Sequence, residues 1–174
     1  VGYTGGTTLN PTYHNIGDHT ESIQVEYDPE QISYEHLLDV FSQGHDPTRM
    51  FFSRQYMSAI FYANEKQQKA ALAWKERIEK ETGRSVKTQI LPLQTFYLAE
   101  AYHQKYWLRL NRELFREYEH RYSSLEEFLK STAVSRVNGY LGGYGTIETF
   151  DKELSSLELS EEGQRRLRNI VLSR

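Results

Sequence analysis

No cysteine occurs anywhere in the 174 residues. That excludes disulfides, thiolate-ligated zinc and thiol nucleophiles within the chain, and it removes the usual clue to redox compartment. Apolar residues are also scarce. They make up 38% of the chain with Tyr counted, below the ~45–50% usual for a globular domain. Exchanging the 13 Tyr for the 11 Gly hardly alters that share. No apolar run approaches the ~18 residues that a membrane span needs, and no secretory leader is visible. The cytosol is therefore the default compartment. An excess of positive charge is lacking too. The net charge of −3 and pI near 6.1 give no global field for nucleic acid or anionic lipid. A length of 174 residues fits one domain with room for an extension.

What the chain does have is a long polar stretch near its start, VGYTGGTTLNPTYHNIGDHTE (Val1–Glu21). Val1-Gly2-Tyr3 reads as the end of a strand. The run after it is too rich in Gly, Asn, Asp and Thr for a helix or a regular strand. A loop this long in a compact domain is usually functional or disordered. Its two tyrosines and its terminal carboxylate, Glu21, favour function.

The remainder reads as scaffold. Glu21–Tyr27 alternates polar and apolar residues, which predicts a half-buried strand with Ile23, Val25 and Tyr27 inward. Ser33 is an N-cap for a helix reaching Gln43, with Tyr34, Leu37, Leu38 and Phe41 on one face. Gly44 suits a left-handed C-terminal position. His45-Asp46-Pro47-Thr48 reads as a turn and Gln55–Tyr62 as a strand. Asn64, with Gln67 three residues on, opens a long helix that ends at Thr82-Gly83 and buries Ala70, Ala71, Trp74 and Ile78. Val86–Leu91 is another strand, stopped by Pro92. From Ala99 the pattern is helical. It carries Tyr102, Tyr106, Leu110, Leu114 and Tyr118 at helical spacing to about Tyr122. Helices then follow from Ser124, Ser131 and Ser160.

The segments GYTGG, NPTY and His19-x-Glu21 are followed in order by VEYDPEQISYEHLLDVF, HDPT, RQYMSAIFY and FYLAEAYHQKY. Together they resemble the A-type methionine sulfoxide reductases, the peptide-methionine (S)-S-oxide reductases, over about the first 110 residues. Several segments in family order are far more specific than any one of them. The resemblance implies an α+β fold, a ferredoxin-like two-layer sandwich. It places a reductase-like domain at 1–122 and a helical C-terminal extension at 123–174. It implies reduction of (S)-methionine sulfoxide in peptides and as the free amino acid, recycled by thioredoxin. No metal or organic cofactor is implied, and a monomer is the default.

The resemblance also assigns roles. Glu21 matches the acid that protonates the sulfoxide oxygen, and Tyr13 and Tyr56 match phenols that hydrogen-bond it. From composition alone Glu21 is a solvated carboxylate, Tyr13 a packing anchor and Tyr56 half-buried core. The family's nucleophile lies in a Gly-Cys-Phe-Trp-Gly turn upstream of GYTGG, and this chain has no nucleophile of that kind. Truncation of a parent that carried the turn is the favoured expectation. The alternative is a non-catalytic relative that binds oxidised-Met or Met-containing peptides. Either way the chain as it stands is expected to be inactive.

Three departures bear on activity. Met50-Phe51-Phe52-Ser53 stands where many members have a longer loop with Gly-Asn-Asp. The loop between Tyr13 and Glu21 is short, and Ala101 replaces a common Asp. Other polar groups read more plainly. His14 and His19, flanking Asp18, fit no strong zinc pattern and read as solvated loop histidines rather than ligands, and His19 is better read as the His of the family's His-x-Glu. His103 is a helix histidine, packing near the site or on the surface. The glycines at 139, 142, 143 and 145 suit a turn with aromatic packing, and Arg165, Arg166 and Arg168 suit surface charge.

Overall fold

The computed structural model describes residues 1–173 and falls into two compact units, Val1–Glu100 and Ala101–Arg174. It is a mixed α/β molecule with short strands and many helices. The first unit holds two separate small sheets rather than the single sheet that the sequence predicts. In one, β1 (Gly2–Thr4) lies between β2 (Thr20–Ser22) and β5 (Tyr97–Leu98), antiparallel to both. In the other, β3 (Ala59–Tyr62) and β4 (Gln89–Pro92) pair in parallel.

Helices α1 (Tyr34–Gln43) and α2 (Glu65–Thr82) pack with β3 and β4 around Leu38, Ile60, Ala71, Trp74, Ile78 and Val86. Both helices start as the sequence suggests. Ser33 accepts from the His36 amide and Asn64 from that of Gln67, each satisfying a donor that the first turn cannot. Gly83 is left-handed as expected, but Gly44 is right-handed at φ −81°. Beneath α1, His45 donates from Nδ1 to the Phe41 carbonyl, and its Nε2 accepts from the Ser58 hydroxyl at 2.8 Å.

The strand expected over Glu21–Tyr27 forms only at Thr20–Ser22, and Ile23 and Val25 are 74% and 53% exposed. The register explains this. Ser22 lies opposite Gly2 at the end of the ladder, and no strand pairs with the residues beyond it among the described residues. Alternation licenses a strand only where a partner completes the ladder. Likewise, Gln55–Tyr62 is a strand only from Ala59. Tyr56 lies in a turn, its amide donating to the Ser53 carbonyl.

The second unit packs α3 (Tyr106–Leu110), α4 (Arg112–Arg121), α5 (Leu125–Lys130), α6 (Thr132–Leu141), α7 (Ile147–Glu153) and α8 (Glu161–Leu172) around an apolar core. Leu108, Leu114, Tyr118, Val134, Val137, Phe150 and Leu167 lie at its centre. The single helix expected over Ala99–Tyr122 is broken twice. Lys105 adopts φ +51°, and Asn111 caps α4 by accepting from the Leu114 amide. Tyr102, Tyr106 and Leu110 are consequently exposed, while Leu114 and Tyr118 are buried. Helix α7 has no counterpart in the sequence reading. Gly142 lies against Trp107 and Gly145 against the Tyr140 ring, so the glycine-rich run is an aromatic-packed turn. Arg165, Arg166 and Arg168 pair with Glu162, Glu113 and Asp151 at the surface. The sequence sets a boundary near Tyr122; by packing, residues 101–122 associate with the helices that follow. No helix among the described residues is long and apolar enough to cross a membrane.

Candidate active site

The loop between β1 and β2 has few apolar residues to fold it, and side-chain hydrogen bonds take that role. The Asp18 carboxylate accepts from the amides and hydroxyls of both Thr7 and Thr8, at 2.8 to 3.1 Å. The Thr7 amide, then that of Thr8, holds this carboxyl far below the usual carboxylate range. Gly17 turns the chain at φ +60° with its Cα against the Thr8 side chain, a place where a Cβ has no room.

His19 is not solvated; it is 1% exposed. Its Nδ1 accepts from the Gly6 amide at 3.2 Å, which puts the proton on Nε2, and Nε2 donates to the Thr8 carbonyl at 2.7 Å. His14 remains exposed beside Tyr13. Arg54 closes the loop from outside, donating to the Asp18 and Gly5 carbonyls at 2.6 and 2.7 Å.

This clasp delivers Glu21. In β2 it lies opposite Tyr3 of β1, so the two side chains share one face of the sheet. The segment with Tyr56 is fixed to β2 at two points. The Glu21 amide donates to the Gln55 carbonyl at 2.9 Å, and the Thr20 hydroxyl donates to that of Arg54 at 2.9 Å. Gln55 then reaches the Glu21 carboxylate at 2.7 Å and the Tyr56 oxygen at 3.0 Å. Tyr13 arrives from the loop. Its amide donates to Glu100 Oε1 at 2.9 Å, and Oε2 of the same carboxylate accepts from the Tyr3 hydroxyl at 2.7 Å. The neighbouring Tyr13 phenol, then desolvation and the Glu21 carboxylate, pushes the Tyr56 phenol above its ordinary value.

Glu21, Tyr13 and Tyr56, separated in sequence, thus come together. Tyr13 is 36% and Tyr56 53% exposed, so the cluster is open to solvent. A carboxyl that can give a proton and two phenols that can donate or accept suit one ligand oxygen whose charge changes during a reaction. Gln55, Glu100, Asp18 and Arg54 escaped the sequence reading. Gln55 and Arg54 lie beside Tyr56 in RQYMSAIFY, and Glu100 lies in FYLAEAYHQKY. Those segments contain them, but nothing in the residue types alone sets an amide or a second carboxylate apart from surface polarity.

The profile of the family described as "Peptide methionine sulfoxide reductase" matches residues 1–146. That described as "Selenoprotein methionine sulfoxide reductase A, helical domain" matches 124–171. A peptide methionine sulfoxide reductase of Drosophila melanogaster is 40% identical over 92% of this chain and 65% of its own length. Peptide methionine sulfoxide reductase A5 of Arabidopsis thaliana is 43% identical over 80% of this chain and 57% of its own. Among solved structures, reduced Mxr1 from Saccharomyces cerevisiae aligns with a TM-score of 0.58 at 31% identity, covering 64% of this chain and 70% of that one. The chain thus spans between about half and two thirds of the length of the first curated relatives it matches.

Proposed function

This chain belongs to the peptide methionine sulfoxide reductase family, and from that premise we propose that it carries the oxygen-handling half of the reaction. The substrate is (S)-methionine sulfoxide, in a peptide or free. The observation that carries this reading is the meeting of Glu21 and Tyr56 at one Gln55 amide, with Tyr13 beside Tyr56. Tyr13 and Tyr56 hold the sulfoxide oxygen and Glu21 protonates it, which makes the sulfur more electrophilic. A positioned acid of this kind contributes ~10²–10⁴-fold.

With no cysteine in the 174 residues, the attacking atom comes from outside them. The name of the helical-domain family admits either the sulfur of a cysteine or the selenium of a selenocysteine. In the step, the chalcogenolate attacks the substrate sulfur and the oxygen passes to the chalcogen. The substrate is reduced by two electrons to the thioether and the chalcogen is oxidised by two. Two thiol equivalents, supplied by thioredoxin, then return the chalcogen to its reduced form and release water as a disulfide forms. The reaction restores the apolar methionine that oxidation had made polar. Residues 1–122 are assigned to the reductase-like part, a ferredoxin-like two-layer sandwich, and 123–174 to a helical extension. A cytosolic monomer with no bound cofactor accords with this chemistry.

The second reading, a module that binds oxidised-Met peptides without turning them over, draws on the same absence of cysteine. Translation of the genomic sequence immediately upstream of Val1 separates the two. A Gly-Phe-Trp-Gly turn interrupted by a Cys codon, or by TGA with radioselenium incorporation, establishes the enzyme. An initiator Met with neither establishes the binding module.

A further inference from the structure

We infer that Gln55 is a positioning residue whose two amide hydrogens set the direction in which both arms of the oxygen-binding cluster donate. This rests on the functional reading above. One Nε2 of Gln55 lies 2.7 Å from Glu21 Oε1 and 3.0 Å from the Tyr56 oxygen. An NH₂ group carries two hydrogens and no lone pair to share, so it satisfies both contacts as donor.

Two consequences follow from that valence count. On the acid arm, Glu21 Oε1 is committed as an acceptor. Oε2 is the Glu21 oxygen that this contact leaves for a ligand. On the phenol arm, the Tyr56 oxygen accepts from the amide, so its own hydrogen points away from Gln55. Tyr13 lies beside Tyr56 in the same cluster. The amide thus turns the Tyr56 hydroxyl away from itself and in parallel leaves Glu21 Oε2 for the same ligand.

The position of Gln55 is itself fixed. Its carbonyl accepts from the Glu21 amide, so the same residue that orients the Glu21 carboxyl is paired to the Glu21 backbone. Arg54, next to it, is anchored on the Asp18 and Gly5 carbonyls. Little rotation is left to Gln55 without breaking these contacts.

The test uses the full 174-residue chain, binding only, so that no nucleophile is needed. Gln55→Met keeps the length and volume of the side chain and removes both donors. Gln55→Glu keeps the shape and replaces the amide by a carboxyl. The probes are N-acetylmethionine methylamide and its (S)-sulfoxide, compared by calorimetry. A second readout, the Tyr56 ¹³Cζ titration in tyrosine-labelled protein, needs no ligand.

The wild type is expected to prefer sulfoxide over thioether. Gln55→Met is expected to weaken that preference roughly tenfold, the combined scale of two lost neutral hydrogen bonds. It is also expected to raise the Tyr56 titration, since the amide's donation no longer lowers it. In Gln55→Glu the preference returns as the pH falls and the new carboxyl regains a proton to donate. If Tyr56 titrates alike in wild type, Gln55→Met and Gln55→Glu, the assignment to Gln55 is overturned. If Tyr56 shifts but the wild type shows no sulfoxide preference, the orienting role stands and the functional reading falls. A Gln55→Met that loses its fold leaves Gln55→Glu to decide on the same two readouts.

Discussion

The two units are held together by different physics. The C-terminal unit buries thirteen residues in one apolar cluster, whereas the N-terminal unit, with more residues, buries six around α1, α2, β3 and β4. The N-terminal unit supplements that small core with polar clasps. Asp18 gathers Thr7 and Thr8, Arg54 grips two carbonyls, and Glu100 holds Tyr3 and Tyr13. An apolar core is tolerant of direction, because burial free energy follows area. A hydrogen-bonded clasp fixes direction, because it survives only in a narrow geometry. The unit that brings Glu21, Tyr13 and Tyr56 together is the one built from clasps.

The sharpest way to break this comparison is through chemistry. The 174-residue chain is expected to give no reduction of a methionine sulfoxide peptide with dithiothreitol or thioredoxin; measurable turnover would end the thiol or selenol mechanism. In a chain extended upstream to include the nucleophile, Glu21→Gln is expected to slow reduction by at least about tenfold. A steady-state rate equal to that of the unsubstituted protein would remove Glu21 as the acid.

Next in size is a change in the apolar unit. Phe150 is fully buried, edge-on to Tyr140 at 5.1 Å between ring centroids. Phe150→Ala should cost about 3–5 kcal/mol, read as a lower urea midpoint for residues 101–174 in residue-resolved hydrogen exchange. Exchange in β1, β2 and the loop between them should stay as it was. Equal loss of protection there would show that the clasps lean on the helical core.

Acid should do the reverse. The Asp18 carboxyl lies below its ordinary value in the folded chain because of the Thr7 and Thr8 donors. A depressed carboxyl contributes stability that is fully present above its unfolded value, about 3.9, and is lost as the pH falls below that value toward the folded one. The loop at residues 5–19 should therefore open to proteolysis as the pH drops below about 4, while the helical unit keeps its protection. Asp18→Asn should open the loop at neutral pH and flatten the dependence.

The same division explains what the sequence reveals. Caps are local, so Ser33, Asn64, Ser124 and Ser160 announce α1, α2, α5 and α8 correctly. Strands are not local. Ile23 and Val25 have the alternation of a strand and are exposed because β1 offers only Gly2–Thr4 to pair with. The breaks at Lys105 and Asn111 were invisible for a related reason. Tyr102, Tyr106, Leu110 and Leu114 keep helical spacing even though the backbone breaks at Lys105 and again at Asn111. In the candidate site, the three residues named from family resemblance come together, but the groups that aim them do not declare themselves. Gln55 and Glu100 act through partners 34 and 87 residues away, and no window along the chain contains both ends of such a contact.

The smallest expected effect probes whether the N-terminal unit has any slack of its own. Gly83 ends α2 at φ +65°, its amide donating to the Glu79 carbonyl, and a Cβ placed there would meet nothing within 4 Å. With no clash, Gly83→Ala isolates the backbone cost of a left-handed residue, about 1 kcal/mol. In a unit with a six-residue core that cost should appear as a measurable fall in the melting temperature of residues 1–100. Exchange at Glu21 and Gln55, distant in sequence from the cap, should stay unchanged. If it rose with the cap's loss, the clasps would be parts of one cooperative unit with α2, and the contrast between aimed clasps and tolerant core would hold between the two units but not within the first.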